Sequence, residues 1–371
     1  MVMTSEPIRR IAINTGGGDA PGLNAVIRAV ALCALNRGWE CVGIRDGYNG
    51  LFLREQYPDG GLVALTRERV RGITHLGGTI LGTTNRGNPL AYPVTRPDGS
   101  VTTVDRSDEI LDALRRERID ALVAVGGDGS LSIADAFARK GLRVVGVPKT
   151  IDNDLDGTVI TFGFDTAVSF ATECLDRLHS TAEAHRRIMV VEVMGRYAGW
   201  IALNAGVSGT ADAILIPEIP YDLSKVAAKI DARYRVGRKF AVVVAAEGAQ
   251  PAGGERAVIS KELGRAERLG GIGEQVAKEL QDLTGQEARH VVLGHLLRGG
   301  TPTTFDRLLS LRFGAAAVRA LAEGQAGVMV ALDPPVVRYV RLEDATRRMK
   351  SVPLDCDSML TARELGIAFG D

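Results

Sequence analysis

Short runs that are apolar at nearly every position recur along the chain, at Ile11–Asn14, Ala121–Val125, Val144–Val147, Ile188–Val193, Ala213–Ile216, Phe240–Ala246 and His290–Leu293. Continuous Val- and Ile-rich runs, as opposed to strict alternation, predict parallel strands buried on both faces. Between them the period changes. In Leu23–Leu35 the apolar residues Leu23, Val26, Ile27, Val30, Ala31 and Leu35 fall near the spacing of an amphipathic helix, and Lys225–Tyr234, Gly273–Leu283 and Asp306–Ala322 behave likewise. Strand–helix alternation on this scale predicts α/β layers on mostly parallel sheets, with a ligand crevice at the C-terminal strand ends. No fixed-period repeat and no linker announces a domain boundary.

Composition narrows the class. Lys plus Arg and Asp plus Glu both number 45, so the net charge is zero and no basic stripe marks a nucleic-acid binder. Glycine is in excess, 44 of 371 residues, which suggests tight turns and close backbone approach to ligands. Cys33, Cys41, Cys174 and Cys356 form no CxxC pair and read as reduced, mostly buried thiols. Met1–Arg10 is too polar for a secretory signal and no apolar run approaches membrane-spanning length, so a cytoplasmic protein is expected.

Two glycine loops carry the first chemistry. The Ile11–Asn14 strand leads through Thr15–Gly22 into the first helix, an arrangement in which backbone N–H groups and the helix dipole favour an anion. The spacing is neither GxGxxG nor a P-loop, and an ordinary tight turn remains the plain alternative. Ala121–Val125 runs into Gly126–Ser130 and then a helical segment, Leu131–Arg139. A carboxylate among phosphate-binding glycines needs a cation, so Asp128 is a candidate Mg²⁺ ligand. After Val144–Val147 comes Pro148–Asp154, where an extended chain would put Asp152 and Asp154 on one face, as a base and an orienting or metal-binding group. The Asp152-x-Asp154-x-Asp156-Gly157 run imitates an EF-hand opening, but its twelfth position is Gly163 where a Glu is needed, which excludes calcium binding of that kind.

Taken in order, GGDAPGLN (17–24), GGDGS (126–130), PKTIDND (148–154), MGRYAGW (194–200) and LGHLLRGG (293–300) resemble the motifs of the 6-phosphofructokinases, over roughly residues 8 to 320. The resemblance implies two doubly wound α/β domains with mostly parallel sheets and an active site in the cleft between them. It divides the chain into a phosphoryl-donor domain (1–163 and 297–345) and a sugar-phosphate domain (164–296 and 346–371). The implied reaction is glycolytic, a kinase transfer from ATP to the 1-hydroxyl of fructose 6-phosphate. Asp152 matches the general base, Thr150 and Asp154 lie around the transferring phosphoryl group, and Arg86 bridges donor and product phosphates. Gly18, Arg45, Gly127, Gly129, Ser130 and Lys149 match donor-binding positions, with Asp128 at the Mg²⁺ site. Met194, Gly195, Arg196 and Glu247 match the sugar-binding segment. Arg187, Arg289, His295 and Arg298 match sugar and 6-phosphate contacts. Arg187 and Arg289 are implied to act across a subunit interface of a homotetramer or dimer.

The donor is where the motifs pull apart. Gly129, where many pyrophosphate-dependent members carry a second Asp, leaves room for an α-phosphate and favours ATP. Lys149 resembles the pyrophosphate enzymes, either neutralising a compact diphosphate or standing as a solvated strand-end charge. Arg45 stands where a tyrosine often meets adenine and is able to stack there. Ile133 replaces a glycine near the nucleotide and would narrow the pocket. Effector-site positions such as Leu32, His179 and Val236 lack the usual basic residues, so nucleotide control is expected to be weak. Alternatives are a pyrophosphate-dependent phosphotransferase, sedoheptulose 7-phosphate as acceptor, an NAD or lipid kinase sharing only GGDGS, and a non-catalytic sugar-phosphate sensor. The tail at 346–371 is expected only to pack.

Overall fold

Most of the apolar runs become strands buried on both faces, whereas in the run at 290–293, at a sheet edge, His290 and Val292 stay exposed. A computed structural model describes residues 7–254, 258–260 and 268–371. Its strands are β1 (Arg10–Thr15), β2 (Glu40–Ile44), β3 (Leu62–Ala64), the hairpin β4 (Tyr92–Thr95) and β5 (Val101–Val104), β6 (Ala121–Gly126) and β7 (Arg143–Pro148). There follow β8 (Ile188–Val193), β9 (Ala213–Leu215), β10 (Ala241–Ala246), the pair β11 (Val258–Ser260) and β12 (Arg268–Leu269), and β13 (Ala288–Val292). The chain ends its strands with β14 (Val328–Asp333) and β15 (Val336–Arg341).

Two compact units result, one from Met1–Thr150, Leu155–Gly163 and Arg298–Met349, the other from Ile151–Asp154, Phe164–Leu297 and Lys350–Asp371. Residues 151–154 and Leu297, expected with the first domain, cluster with the second, while 346–349 cluster with the first. The first unit holds a sheet of order β15-β14-β7-β6-β1-β2-β3, parallel in its interior and antiparallel where β15 and β3 close the edges. Ile11 and Ile13 of β1 point to one face, with Val26, Val30 and Phe313 from the Leu23–Leu35 and Thr304–Ala322 helices. Ala12 points to the other, with Leu114, Leu131 and Phe137. This alternation is the period-2 geometry of a strand with both faces covered. A Cβ on Gly314 would meet Ala29 Cβ at 2.7 Å and Val26 O at 2.8 Å, so glycine there lets those two helices touch backbone to backbone.

The second unit holds an all-parallel sheet of order β13-β8-β10-β9. The Leu223–Arg235 and Ile272–Thr284 helices cover one face through Val226, Ile230, Val276 and Leu280. Among the described residues no helix is long and apolar enough to cross a membrane. All four cysteines are free, but only Cys41 is buried and the other three are half-buried, which corrects the expectation of mostly buried thiols.

Candidate active site

In the first sheet β1 has β2 on one side and β6 on the other, so the winding direction reverses between β1 and β6. The C-terminal ends of strands at such a switch point form the natural ligand site of an open α/β sheet. Both glycine loops start there. Gly16 N donates to Val125 O (2.9 Å), joining the two strand ends, and Gly17 N donates to Thr84 O (3.0 Å). Thr83 Oγ1 donates to Gly17 O (2.6 Å), and Thr15 Oγ1 to Gly82 O (2.6 Å), so the segment that carries Arg86 is stitched along the first loop. Arg86 itself is exposed, with its backbone N–H held by Thr84 Oγ1 at 3.0 Å.

The second loop is shorter than the sequence suggested, because the helix begins at Asp128 with Gly127 as its N-cap. Asp128 and Gly129 are therefore exposed residues of a helical first turn, where the dipole favours an anion. A Cβ on Gly129 would meet nothing within 4 Å, so this position faces open space. Ser130 turns back under both loops; a Cβ on Gly16 would lie 2.6 Å from its Oγ. Lys149 is 3% exposed and its ammonium donates to Gly18 O, which excludes the solvated strand-end reading. It lies 3.5 Å from where a Cβ on Gly17 would stand, a fixed positive charge beneath the first loop. Thr150 is buried at the end of this run, its carbonyl accepting from Thr161 Oγ1 at 2.7 Å.

Arg45, just past β2, is tied down rather than loose. Its Nε and Nη2 donate to one oxygen of Asp59 (3.1 and 2.8 Å), and Nη1 donates to Ile80 O (3.0 Å). These bonds hold the Asp59 carboxyl below the usual carboxylate range. Ile133 packs half-buried on the core beneath its helix. Arg298, expected among the sugar contacts, belongs to the first unit and lies on the first loop, with Nη1 donating to Asp19 O at 3.2 Å. A Cβ on Gly18 would come within 2.7 Å of that guanidinium.

The second unit gathers a different set. At the C-terminal end of β8, Met194, Gly195 and Arg196 meet the end of β10, where Glu247 N donates to Val193 O (2.9 Å) and Gly248 N to Gly195 O (3.1 Å). Gly195 adopts φ 141°, and a Cβ there would strike Ala198 O at 2.8 Å. Arg196 is half-buried and its guanidinium lies 5.8 Å from the centroid of the Tyr197 ring. β13 ends on the same edge, with Leu293 N donating to Glu192 O (3.0 Å), and leads into exposed His295. Arg187 and Arg289 are not with them. Both bind Glu287 at the opposite, N-terminal edge of the sheet, Arg187 Nε at 2.7 Å. The six residues of β8 separate the two edges by about 20 Å.

Asp152 and Asp154 do not sit on one face of an extended segment. Asn153 between them takes φ 52°, in the left-handed region, so the chain is not extended there and the period-2 argument does not apply. Three further residues lie outside the sequence reading. Asn24 is buried on the first helix and spans Leu76, Gly77 and Gly78 carbonyls (3.1, 3.1 and 3.2 Å) with Nδ2, while Oδ1 accepts from Ile80 N at 2.8 Å. An amide on an otherwise apolar helical face was the available clue. Asp59 and Glu218 are revealed only by their distant partners; burial pushes the Glu218 carboxyl up while Gly199 N and Val352 N donate to it.

Comparison with known proteins agrees with this architecture. The phosphofructokinase family model matches residues 10–321. A Clostridium perfringens protein named ATP-dependent 6-phosphofructokinase 2 is 48% identical over 371 residues, covering 99% of this chain and 100% of that one. An Amycolatopsis mediterranei protein named pyrophosphate–fructose 6-phosphate 1-phosphotransferase is also 48% identical, over 93% of this chain and 97% of its own. The Pichia pastoris phosphofructokinase crystal structure superposes with a TM-score of 0.78 at 31% identity, over 92% of this chain but only 36% of that longer one. With the family model matched across both units and relatives of this identity along nearly their whole length, the chain belongs to the phosphofructokinase family.

Proposed function

We propose that this chain transfers the γ-phosphoryl group of ATP to the 1-hydroxyl of fructose 6-phosphate. The observation that carries the reading is the pair of glycine loops at the β1/β6 switch point, with open space at Gly129 on a helical first turn. Phosphoryl transfer requires in-line placement and neutralisation of charge spreading over phosphoryl oxygens, and little else. Gly18, Gly127, Gly129 and Ser130 line the donor loops of the first unit, with Lys149 fixed beneath them and Arg45 held to one side by Asp59. The flat guanidinium of Arg45 suits stacking on a nucleobase. Arg86 and Arg298 bring charge to the first loop, and guanidinium forks match phosphate oxygens.

The second unit supplies the acceptor side. Met194, Gly195, Arg196, Glu247 and His295 gather at one sheet edge as polar and backbone partners for a sugar phosphate. In the reaction, the sugar 1-oxygen attacks the γ-phosphorus, its proton passes to Asp152, and the bond from phosphorus to the bridging β-oxygen breaks to release ADP. Thr150 and Asp154 flank that base in sequence and orient the transferring group. Asp128 is an exposed single carboxylate, and among the described residues no group of three His, Cys, Asp or Glu side chains could hold a metal. Asp128 would be the protein contact for Mg²⁺, directly or through water. When bound, the ion neutralises donor oxygens. Arg187 and Arg289, about 20 Å from the sugar edge of their own sheet, support a homo-oligomer in which they serve a neighbour's site. As a glycolytic enzyme the protein is placed in the cytoplasm.

Asp152→Asn tests this assignment. Turnover should fall by about three or more orders of magnitude with fructose 6-phosphate binding retained, as expected for loss of a general base. Unchanged turnover would remove Asp152 from the mechanism. A second reading, with pyrophosphate as donor, draws on the buried Lys149 ammonium against Gly18 O, a compact charge suited to a diphosphate. The Amycolatopsis relative bears a name of that kind.

A further inference from the structure

We propose that Lys350, in the tail that was expected only to pack, is a positioning residue for the reaction proposed above, on whose assignment of Asp152 this inference rests. Its Nζ donates to Asn153 Oδ1 at 2.9 Å, and its backbone N donates to Asp154 O at 2.9 Å. The tail thus grips the Asp152–Asp154 turn at two points, with about 200 residues of chain between them. The same residue reaches the sugar-side loop. Lys350 O accepts from Trp200 Nε1 at 3.0 Å, and the ammonium lies 5.7 Å from the centroid of the Trp200 ring. Two residues on, Val352 N donates to Glu218 Oε1 (2.8 Å), and the Glu218 carboxylate also accepts from Gly199 N at 3.1 Å. All these groups belong to the second unit.

The need for such a grip follows from the backbone. Asn153 is 4% exposed and held at φ 52°, a region that non-glycine residues occupy at a cost unless their surroundings enforce it. With its amide away from water, the conformation of Asn153 depends on its protein partners, and Lys350 is one of them. That conformation sets the direction in which Asp152 leaves the chain. A shift of about 1 Å in a reacting group is enough to slow a positioned reaction about 10²-fold. Because Lys350 also fastens Trp200 and its neighbour fastens Glu218, one short segment keys the turn with the proposed base to the loop carrying Met194–Arg196.

The experiment compares wild type, Lys350→Met, Lys350→Arg, Asn153→Ala and the Lys350→Met/Asn153→Ala double variant. Turnover with fructose 6-phosphate and each donor, calorimetric binding of fructose 6-phosphate and thermal midpoints are measured for all. Lys350→Met should lower kcat by about 10- to 100-fold while sugar-phosphate affinity changes by less than about threefold. Lys350→Arg should recover part of that loss, and Lys350→Met should cost little once Asn153 is Ala. An unaffected Lys350→Met, an equal loss in the Asn153→Ala background, or binding lost in step with kcat would overturn the proposal. If Lys350→Met does not fold, Asn153→Ala carries the test, and full activity in it overturns the proposal. Absence of turnover in the wild type itself would reject the functional reading, and this inference with it.

Discussion

Gly129→Asp is the substitution whose outcome follows most directly from the geometry. A Cβ at position 129 meets nothing within 4 Å, and Gly129 does not have the positive φ that restricts L side chains. The site lies in the first turn of the Asp128–Arg139 helix, where an added acid contributes about 0.3–1 kcal/mol of stability. The fold should therefore tolerate the change, with a thermal midpoint equal to or above that of the parent. The donor should not. A carboxylate about 4 Å from an α-phosphate repels it by about 4 kcal/mol at an effective dielectric of about 20. Partial neutralisation by a cation and by solvent leaves a penalty nearer 3 kcal/mol, or about 10²-fold in kcat/KM for ATP. Pyrophosphate has no α-phosphate beyond the transferring pair, so its kcat/KM should fall far less. Steady-state kinetics with both donors on Gly129→Asp, with Gly129→Ala as the control for size, reads the effect. ATP turnover within about threefold of wild type in a folded Gly129→Asp variant would refute the placement of the donor over Gly129.

Other outcomes follow from the same contacts. Asn24→Ala strips the partner from three carbonyls and one amide, and should cost about 2–3 kcal/mol in urea unfolding. A loss below about 0.5 kcal/mol would show that the 76–80 segment is held otherwise. The Glu218 carboxyl titrates above its unfolded value because burial disfavours its charge, so its stability contribution is full below the unfolded pKa and is lost as pH rises through the folded one. Glu218→Gln, whose carbonyl oxygen can still accept from Gly199 and Val352, should flatten that part of the stability–pH curve. An unchanged slope between wild type and Glu218→Gln would exclude the group as its source. Titration with ADP or phosphoenolpyruvate should leave fructose 6-phosphate affinity nearly unchanged, since His179 Nε2 is engaged by Gly209 O (2.9 Å) and Val236 is exposed and uncharged. A large affinity shift would contradict this.

The sequence was most informative where burial is symmetrical. The interior strands β1, β6, β7, β8 and β10 are buried at almost every residue and mostly apolar, so no choice of face obscured them. The Leu23–Leu35 helix was legible to its last residue because a single apolar stripe runs its whole length. The 22-residue Phe164–His185 helix was not, since its buried positions are widely spaced among polar ones. β3 is three residues long and lies at a sheet edge, too short for a periodic signal. Glycine and aspartate at 126–129 suggested a loop, whereas Asp128 already opens a helix, because an acid behind a glycine N-cap suits a first turn. Asp152 and Asp154 escape period-2 reasoning because Asn153 between them takes a left-handed conformation that an asparagine tolerates. Asp59 and Lys350 acquire meaning only through partners 14 and 197 residues away, which no local pattern discloses.

Phosphoryl transfer to fructose 6-phosphate from a donor seated over Gly129 is tested most directly by a paired assay. Purified protein is given fructose 6-phosphate and Mg²⁺ with either ATP or pyrophosphate at equal concentration, and fructose 1,6-bisphosphate is measured. Rapid product formation is expected with ATP and little with pyrophosphate. Product from pyrophosphate alone would mean that the buried Lys149 charge outweighs the open position at 129, and no product from either would contradict the assignment of a catalytic site.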